Sequence, residues 1–526
     1  MRTARFIGNW LAGLIAFAVT ATVFVLWLRY GLGAAGGPDP APLFLWLVVG
    51  VNLLVWTLVG LVRLGDDSLR VLAARRAPAA LPGPGGTAAA RRVADRRSAL
   101  VGASAAGVGA GGAAGSGLAP DPADGPSGPP AHPAAAGVGA DGGGTAAGPA
   151  PLSLAVVIPA HNEEPVIDGA IASALRLFNR WDIYVVSDSS HDSTADIAAE
   201  TGVNVLELLN NRGKAGALEA VIEEFDLTGT YDGVVILDAD TELHADYVEG
   251  VRRQLREPDV AAVAGFVVAE WKPDQRTVVG RLISAYRDRL YWMLQYLMRY
   301  GQTWRRTSVP FIVPGFASTY RSSALKKIDI NPSGLVIEDY NMTFEVHRKR
   351  LGRIAMHPGT KAYSQDPFTL GDYISQVRRW TLGFWQTVRR HGVWPGLFWF
   401  ALSFYILEVV LVATLLLAAV VLGAFLLLPE ATGGLVLRWD VYADGYGAAT
   451  AALPLTAVAV GLFVPDYIVT CVLAVVRRRP GYLVYGLFFL PVRVIDAYLT
   501  LRTIPQAWTV GSNGRWKSPN RAATRL

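Results

Sequence analysis

Gly233-Val-Val-Ile-Leu237 runs straight into Asp238-Ala-Asp240. An uninterrupted apolar run this short, stopped by acids, reads as a strand buried on both faces. In open α/β sheets ligands bind beyond the carboxyl ends of the strands. Acids at i and i+2 just past such an end can jointly face a cation, and hard carboxylate oxygens suit Mg²⁺ or Mn²⁺ bridging phosphates. An Asp-x-Asp alone more often marks a solvated turn, so its surroundings decide its meaning.

Those surroundings repeat the pattern. Leu154-Ala-Val-Val-Ile-Pro159 and Ile183-Tyr-Val-Val186 are two further apolar runs, the second followed by Asp188. Residues 164–178 and 216–225 are helix-like in composition. Strand–helix alternation at this spacing predicts an α/β domain with a largely parallel sheet over residues 152–367.

The rest of the chain belongs to a different solvent. Of 526 residues, 52% are hydrophobic and 17% charged, and the mean hydropathy is +0.31. That is too apolar for an ordinary soluble enzyme. The net charge of +5 gathers beside apolar segments, which argues for membrane-adjacent loops and against a nucleic-acid partner. Cys471 is the single cysteine, so an intramolecular disulfide and a cysteine zinc site are excluded.

Residues 10–28 and 43–62 are each long enough to cross a bilayer as a helix of about 20 residues. The first is read as a retained span, since it is long for a leader and a second follows closely. Arg2, Arg5, Arg63 and Arg70 flank this hairpin (residues 1–72), which puts both of its ends in the cytoplasm. Residues 73–151 are Ala, Gly and Pro with scattered Arg, the composition of a disordered linker. Residues 396–526 hold further apolar runs at 397–428, 451–476 and 482–501, then a basic tail. Residues 429–446 read as an outer loop, and Arg477-Arg478-Arg479 belongs inside. Counting spans leaves the tail outside, against its own charge. One segment must therefore be irregular, and residues 482–501, interrupted by Pro491, Arg493 and Asp496, are the candidate.

Taken in order, Pro159-Ala-His-Asn-Glu163, Ser187-Asp-Ser-Ser190, Asn211-Arg-Gly-Lys-Ala215, Asp238-Ala-Asp240, Glu338-Asp339 and Gln376-Val-Arg-Arg-Trp380 resemble the motifs of family-2 glycosyltransferases. Within that family the chain looks like the membrane-embedded synthases of cellulose, hyaluronan, chitin and poly-N-acetylglucosamine. The resemblance implies a GT-A (Rossmann-like) cytoplasmic catalytic domain joined to a helical transmembrane domain in the plasma membrane. It implies a nucleotide-diphosphate sugar donor, a UDP-sugar by family habit, a growing glycan or lipid-linked acceptor, and Mg²⁺ or Mn²⁺.

Roles follow residue by residue. Glu163 and Asp188 would hold the nucleotide base and ribose, with Lys214 nearby. Asp238 and Asp240 would bind the diphosphate and metal, Asp240 as direct ligand. Asp339, beside Glu338, would be the general base. Gln376 and Arg379 would steady the diphosphate, and Trp380 would stack on the acceptor sugar. Pro314-Gly315-Phe316 would turn near that acceptor. The chemistry agrees: a hydroxyl attacking an anomeric carbon must shed a proton to a nearby carboxylate. Direct attack with no enzyme nucleophile inverts configuration. A non-processive transfer onto polyprenyl phosphate shares the catalytic acids and is the competing reading; a non-enzymatic membrane scaffold is a third.

Basic and aromatic residues mix through 368–395, the composition of amphipathic helices in a membrane interface. Residues 281–300 read either that way or as a core helix. Ser187 stands where the family usually has an acid. Glu408, Asp466, Arg493 and Asp496 lie in apolar runs, where charges pair with one another or face a polar path.

Overall fold

The computed structural model describes residues 41–76 and 152–511. The expected first span at 10–28, nearly all of the expected linker and the end of the basic tail lie outside the described residues. The chain divides into two units, residues 1–65 with 151–526, and residues 66–150. In the second unit, Asp66 and Arg70 pair one helical turn apart at 3.2 Å.

Within the first unit, ten strands build two sheets: β1 (Leu154–Ala160), β2 (Ile183–Asp188), β3 (Asn204–Leu208), β4 (Gly233–Leu237), β5 (Thr241–Leu243), β6 (Val260–Val263), β7 (Phe266–Ala269), β8 (Ala317–Arg321), β9 (Arg353–Ala355) and β10 (Lys361–Ser364). The large sheet has the order β3-β2-β1-β4-β8-β6-β9, and the small one β5-β10-β7. The strands read from apolar runs, β1, β2 and β4, are parallel neighbours, as expected. The sheet as a whole is mixed, because β8 lies antiparallel between β4 and β6. Its sequence, Ala-Ser-Thr-Tyr-Arg, has no apolar run to reveal it, yet Ser318 and Thr319 are buried.

Alternate residues of β1 serve opposite cores, which explains its unbroken apolar run. Leu154, Val156 and Ile158 pack against the helices Ile167–Leu175 and Tyr247–Leu255. Ala155 and Val157 face Ala217, Leu218 and Val221 of the helix Gly213–Glu224. Chain order reverses beside β1, between β2 and β4, so the crevice at the carboxyl ends of β1 and β4 is the expected ligand position.

Among the described residues, three helices are long and apolar enough to cross a membrane: Leu397–Ala431, Leu455–Val476 and Tyr482–Thr509. The last has a 3₁₀ turn at Gly486–Phe488, whereas Pro491, Arg493 and Asp496, expected to interrupt it, lie in the continuous helix Phe489–Thr509. The expected loop at 429–446 is largely helical, with the Asp440–Ala452 helix beginning inside it. The span expected at 43–62 is broken: its helices Leu43–Val49 and Val51–Arg70 meet at 58°. Gly50 sits at the break with φ of 71°, a conformation natural to glycine. Glu408 reaches the break from the Leu397–Ala431 helix. It accepts from the backbone N–H groups of Val51 and Asn52, from Asn52 Nδ2 at 2.7 Å and from Trp46 Nε1 at 2.8 Å. A carboxylate thus satisfies the free N–H groups of a new helix start.

The other intramembrane charges are also paired. Asp466 meets Arg289 at 2.8 Å and Arg493 at 2.7 Å, while Asp496 accepts from Tyr286 and Tyr373 hydroxyls. Arg63 is buried, donating to the carbonyls of Tyr300 and Met356 and to Thr303. The arginine that marked the end of a span also pins it to the α/β domain.

Candidate active site

The helix Leu370–His391 carries the Gln376-Val-Arg-Arg-Trp380 segment. It is amphipathic as expected: Tyr373, Val377, Leu382 and Trp385 are buried, while Arg378, Arg389 and Arg390 are exposed. Its buried side packs along the Phe489–Thr509 helix and beneath the α/β domain. The helix Val278–Trp292 is a core element, since Ile283 through Arg289 are all buried, which covers every side of a helix.

Between these helices and the carboxyl end of β4 lies a cavity of about 660 Å³. Glu163, Lys214, Asp238, Asp240, Glu338, Asp339, Gln376, Arg379 and Trp380 all line it. Residues spread over more than two hundred positions of sequence share one space. Pro314, Gly315 and Phe316 line it too. A Cβ at Gly315 would lie 2.9 Å from Lys214 Nζ, so any larger residue would push the lysine tip from its place among the acids.

The acids and Lys214 form one electrostatic group. Lys214 Nζ lies 2.6 Å from Asp238 Oδ1 and 3.0 Å from Glu338 Oε1. Burial works against its charge, but Asp238 and Glu338 outweigh that and hold the ammonium above the usual lysine value. Burial pushes the Asp238 carboxyl up, Lys214 opposes this, and the charge of Asp240 adds to the rise. Burial raises the Glu338 carboxyl, but Lys214, a backbone N–H and Arg379 together hold it below its usual value. Asp339 goes the other way: burial first, then the charge of Glu338, push it up to about 7. Its oxygens accept from the Tyr340 N–H at 2.7 Å and the Gly315 N–H at 3.3 Å. Glu338 and Asp339 open the Glu338–Arg348 helix, a position that favours acids on dipole grounds alone. Their shared wall with Lys214 and Asp238 is more than that needs.

Asp188 behaves differently. It is fully buried, accepts from the Arg212 and Gly213 N–H groups at 2.7 and 2.8 Å, and is not among the cavity residues. Its carboxylate ties β2 to the start of the Gly213–Glu224 helix and so anchors the segment that carries Lys214.

Two residues absent from the motif reading line the cavity. Arg287 is 1% exposed and donates to Gln376 Oε1 at 2.5 Å. Asp366 is buried, and burial pushes its carboxyl up to about 7 against the pull of Arg287 and Arg276. The signal for Arg287 was an arginine amid the apolar 281–300 segment; its role needed the fold.

Asp238 and Asp240 fit a divalent cation as a donor set. They are adjacent, half-buried and mutually repelling carboxylates at a strand end. No group of three or more His, Cys, Asp or Glu suited to a metal occurs among the described residues. A cation there would complete its shell from phosphate and water, as Mg²⁺ commonly does.

A mixed sheet with a cluster of acids at its switch point, joined to apolar helices, is a GT-A-like fold on a helical base. Residues 155–328, a third of the chain, match the family model described as Glycosyl transferase family 2. Over 274 residues, half of this chain, it is 24% identical to the poly-beta-1,6-N-acetyl-D-glucosamine synthase of Staphylococcus epidermidis. Over 242 residues, 44% of the chain, it is 24% identical to the enzyme of the same description from Staphylococcus aureus (strain COL). The matched stretches span 61% and 54% of those relatives' lengths. Among solved structures, a mannosyltransferase from Pyrobaculum calidifontis in complex with GDP-Man and Mn²⁺ is similar at 21% identity, TM-score 0.39, over 59% of this chain and 87% of that one.

Proposed function

We propose that the protein is an inverting, processive glycosyltransferase that polymerises a β-linked glycan from a nucleotide-diphosphate sugar at the cytoplasmic face of a membrane. One observation carries this reading: the cavity joins the acid cluster at the β4 end to Gln376, Arg379 and Trp380. The resemblance to poly-N-acetylglucosamine synthases makes UDP-N-acetylglucosamine the first donor to test.

In this mechanism Asp339 takes the proton from the attacking acceptor hydroxyl. A carboxyl with a pKa near 7 serves well, since it is largely free to accept at working pH yet basic enough to pull. Glu338 stays charged and, with Lys214, fixes the electrostatics around it. Arg379 lines the same cavity as Asp238, and its charge would stabilise the departing diphosphate. A Mg²⁺ or Mn²⁺ held by Asp240 and Asp238 would supply further neutralisation of that leaving group. Trp380 offers a flat apolar surface to the acceptor ring. Tyr405, Val409, Asp496 and Thr500 line both this cavity and a second, separate one of about 320 Å³ among the apolar helices.

The test is to incubate purified full-length protein with a panel of nucleotide sugars and size the products. A polymer supports the reading. Only a lipid-extractable monosaccharide conjugate, at saturating donor, would replace it with single-sugar transfer.

A further inference from the structure

Arg287 reaches the site from a different element than the residues it holds. It stands on the Val278–Trp292 helix; Tyr373, Gln376 and Trp380 stand on Leu370–His391. Its guanidinium donates to Gln376 Oε1 at 2.5 Å and to the Tyr291 hydroxyl at 3.3 Å. Its Cζ lies 4.3 Å from the centre of the Trp380 ring and 4.9 Å from that of Tyr373. Its Nε is buried without a hydrogen-bond partner. Burying a guanidinium is costly unless its surroundings compensate: Asp366 supplies opposite charge nearby, while Gln376 and Trp380 touch the group directly.

Two consequences follow from the chemistry of the group. Guanidinium has donors only, so the side-chain amide of Gln376 must turn its oxygen towards Arg287. The amide's NH₂, a pair of donors, is what remains for oxygens in the cavity. A cation stacked on an indole also occupies one ring face. A sugar approaching Trp380 then has only the opposite face.

We propose that Arg287 is a positioning residue for sugar transfer: it sets the orientation of the Gln376 amide and decides which face of Trp380 the acceptor meets. This rests on the transferase reading, and holds whether the product is a polymer or a single-sugar conjugate. Lysine cannot replace it. An ammonium is a compact point charge without the planar fork that bonds an amide while lying on a ring.

The experiment uses full-length protein in nanodiscs, with the nucleotide sugar that the wild type turns over, and the variants Arg287→Lys, Arg287→Met, Gln376→Ala and Arg287→Met/Gln376→Ala. Transfer to acceptor, donor hydrolysis by water and nucleoside-diphosphate binding are measured separately. Misplacement by an ångström can cost about a hundredfold. Arg287→Lys should accordingly lose roughly ten- to a hundredfold in kcat for transfer, and weaken nucleotide binding by a clearly smaller factor, since the Gln376 amide would also meet the diphosphate. Gln376→Ala added to Arg287→Met should cost less than the same change in the wild type, because the amide has already lost its orientation. An Arg287→Lys enzyme with wild-type transfer, or losses at the two positions that simply multiply, would overturn the proposal. If Arg287→Met does not fold, Arg287→Lys decides alone. A wild-type protein inert towards every donor would instead refute the transferase reading, a separable result.

Discussion

The Lys214 ammonium touches Asp238 at 2.6 Å while also meeting Glu338, so a single cation bridges the strand-end acids and the acids of the Glu338–Arg348 helix. Lys214 lowers the proton affinity of Asp238, Glu338 and Asp339 alike. Lys214→Met should therefore raise all three. The transfer rate at neutral pH should fall and recover partly as pH rises, because the base then needs a higher pH to shed its proton. A pH–rate profile whose acidic limb does not move would refute this coupling.

Asp339→Asn removes the proposed base but leaves the diphosphate contacts alone. Transfer should drop by roughly 10²- to 10⁴-fold, the usual share of general-base catalysis, with nucleotide affinity little changed. In the wild type, activity should rise with pH through about 7, as Asp339 loses its proton. Equal losses of binding and turnover would make Asp339 a binding residue.

Asp240→Asn tests the cation. The variant should insert and fold, yet lose the stimulation by Mg²⁺ or Mn²⁺ that the wild type is expected to have. Unchanged metal-dependent activity would take Asp240 out of the proposed ligand set.

Trp380→Ala separates acceptor placement from donor chemistry. Removing the ring should cut polymer formation severely while water still cleaves the donor. Chains of normal length from this variant would show that the acceptor rests elsewhere.

Glu408→Ala should destabilise this region by a few kcal/mol, since each buried donor left without an acceptor costs about 1–3 kcal/mol. The Val51, Asn52 and Trp46 donors would be left without their carboxylate. Thermal unfolding in detergent measures this, and an unchanged midpoint would mean that the break at Gly50 needs no cap.

The sequence by itself determined the parallel strands β1, β2 and β4, the acids at their ends and the apolar helices, because each is written in consecutive residues. Solvent preference acts locally, so an apolar run stopped by Asp238 is legible without neighbours. The motif order likewise named the residues that meet in the cavity. Tertiary structure decided the rest. The polar strand β8 is a strand because β4 and β6 flank it, and the span at 43–62 breaks because Gly50 can turn there and Glu408, far away in sequence, receives the exposed N–H groups. Asp188 faces a helix start and Arg287 faces Gln376 and Trp380, and neither fact is local. Electrostatic and hydrogen-bond partners are chosen by distance in space, which only the packed chain fixes.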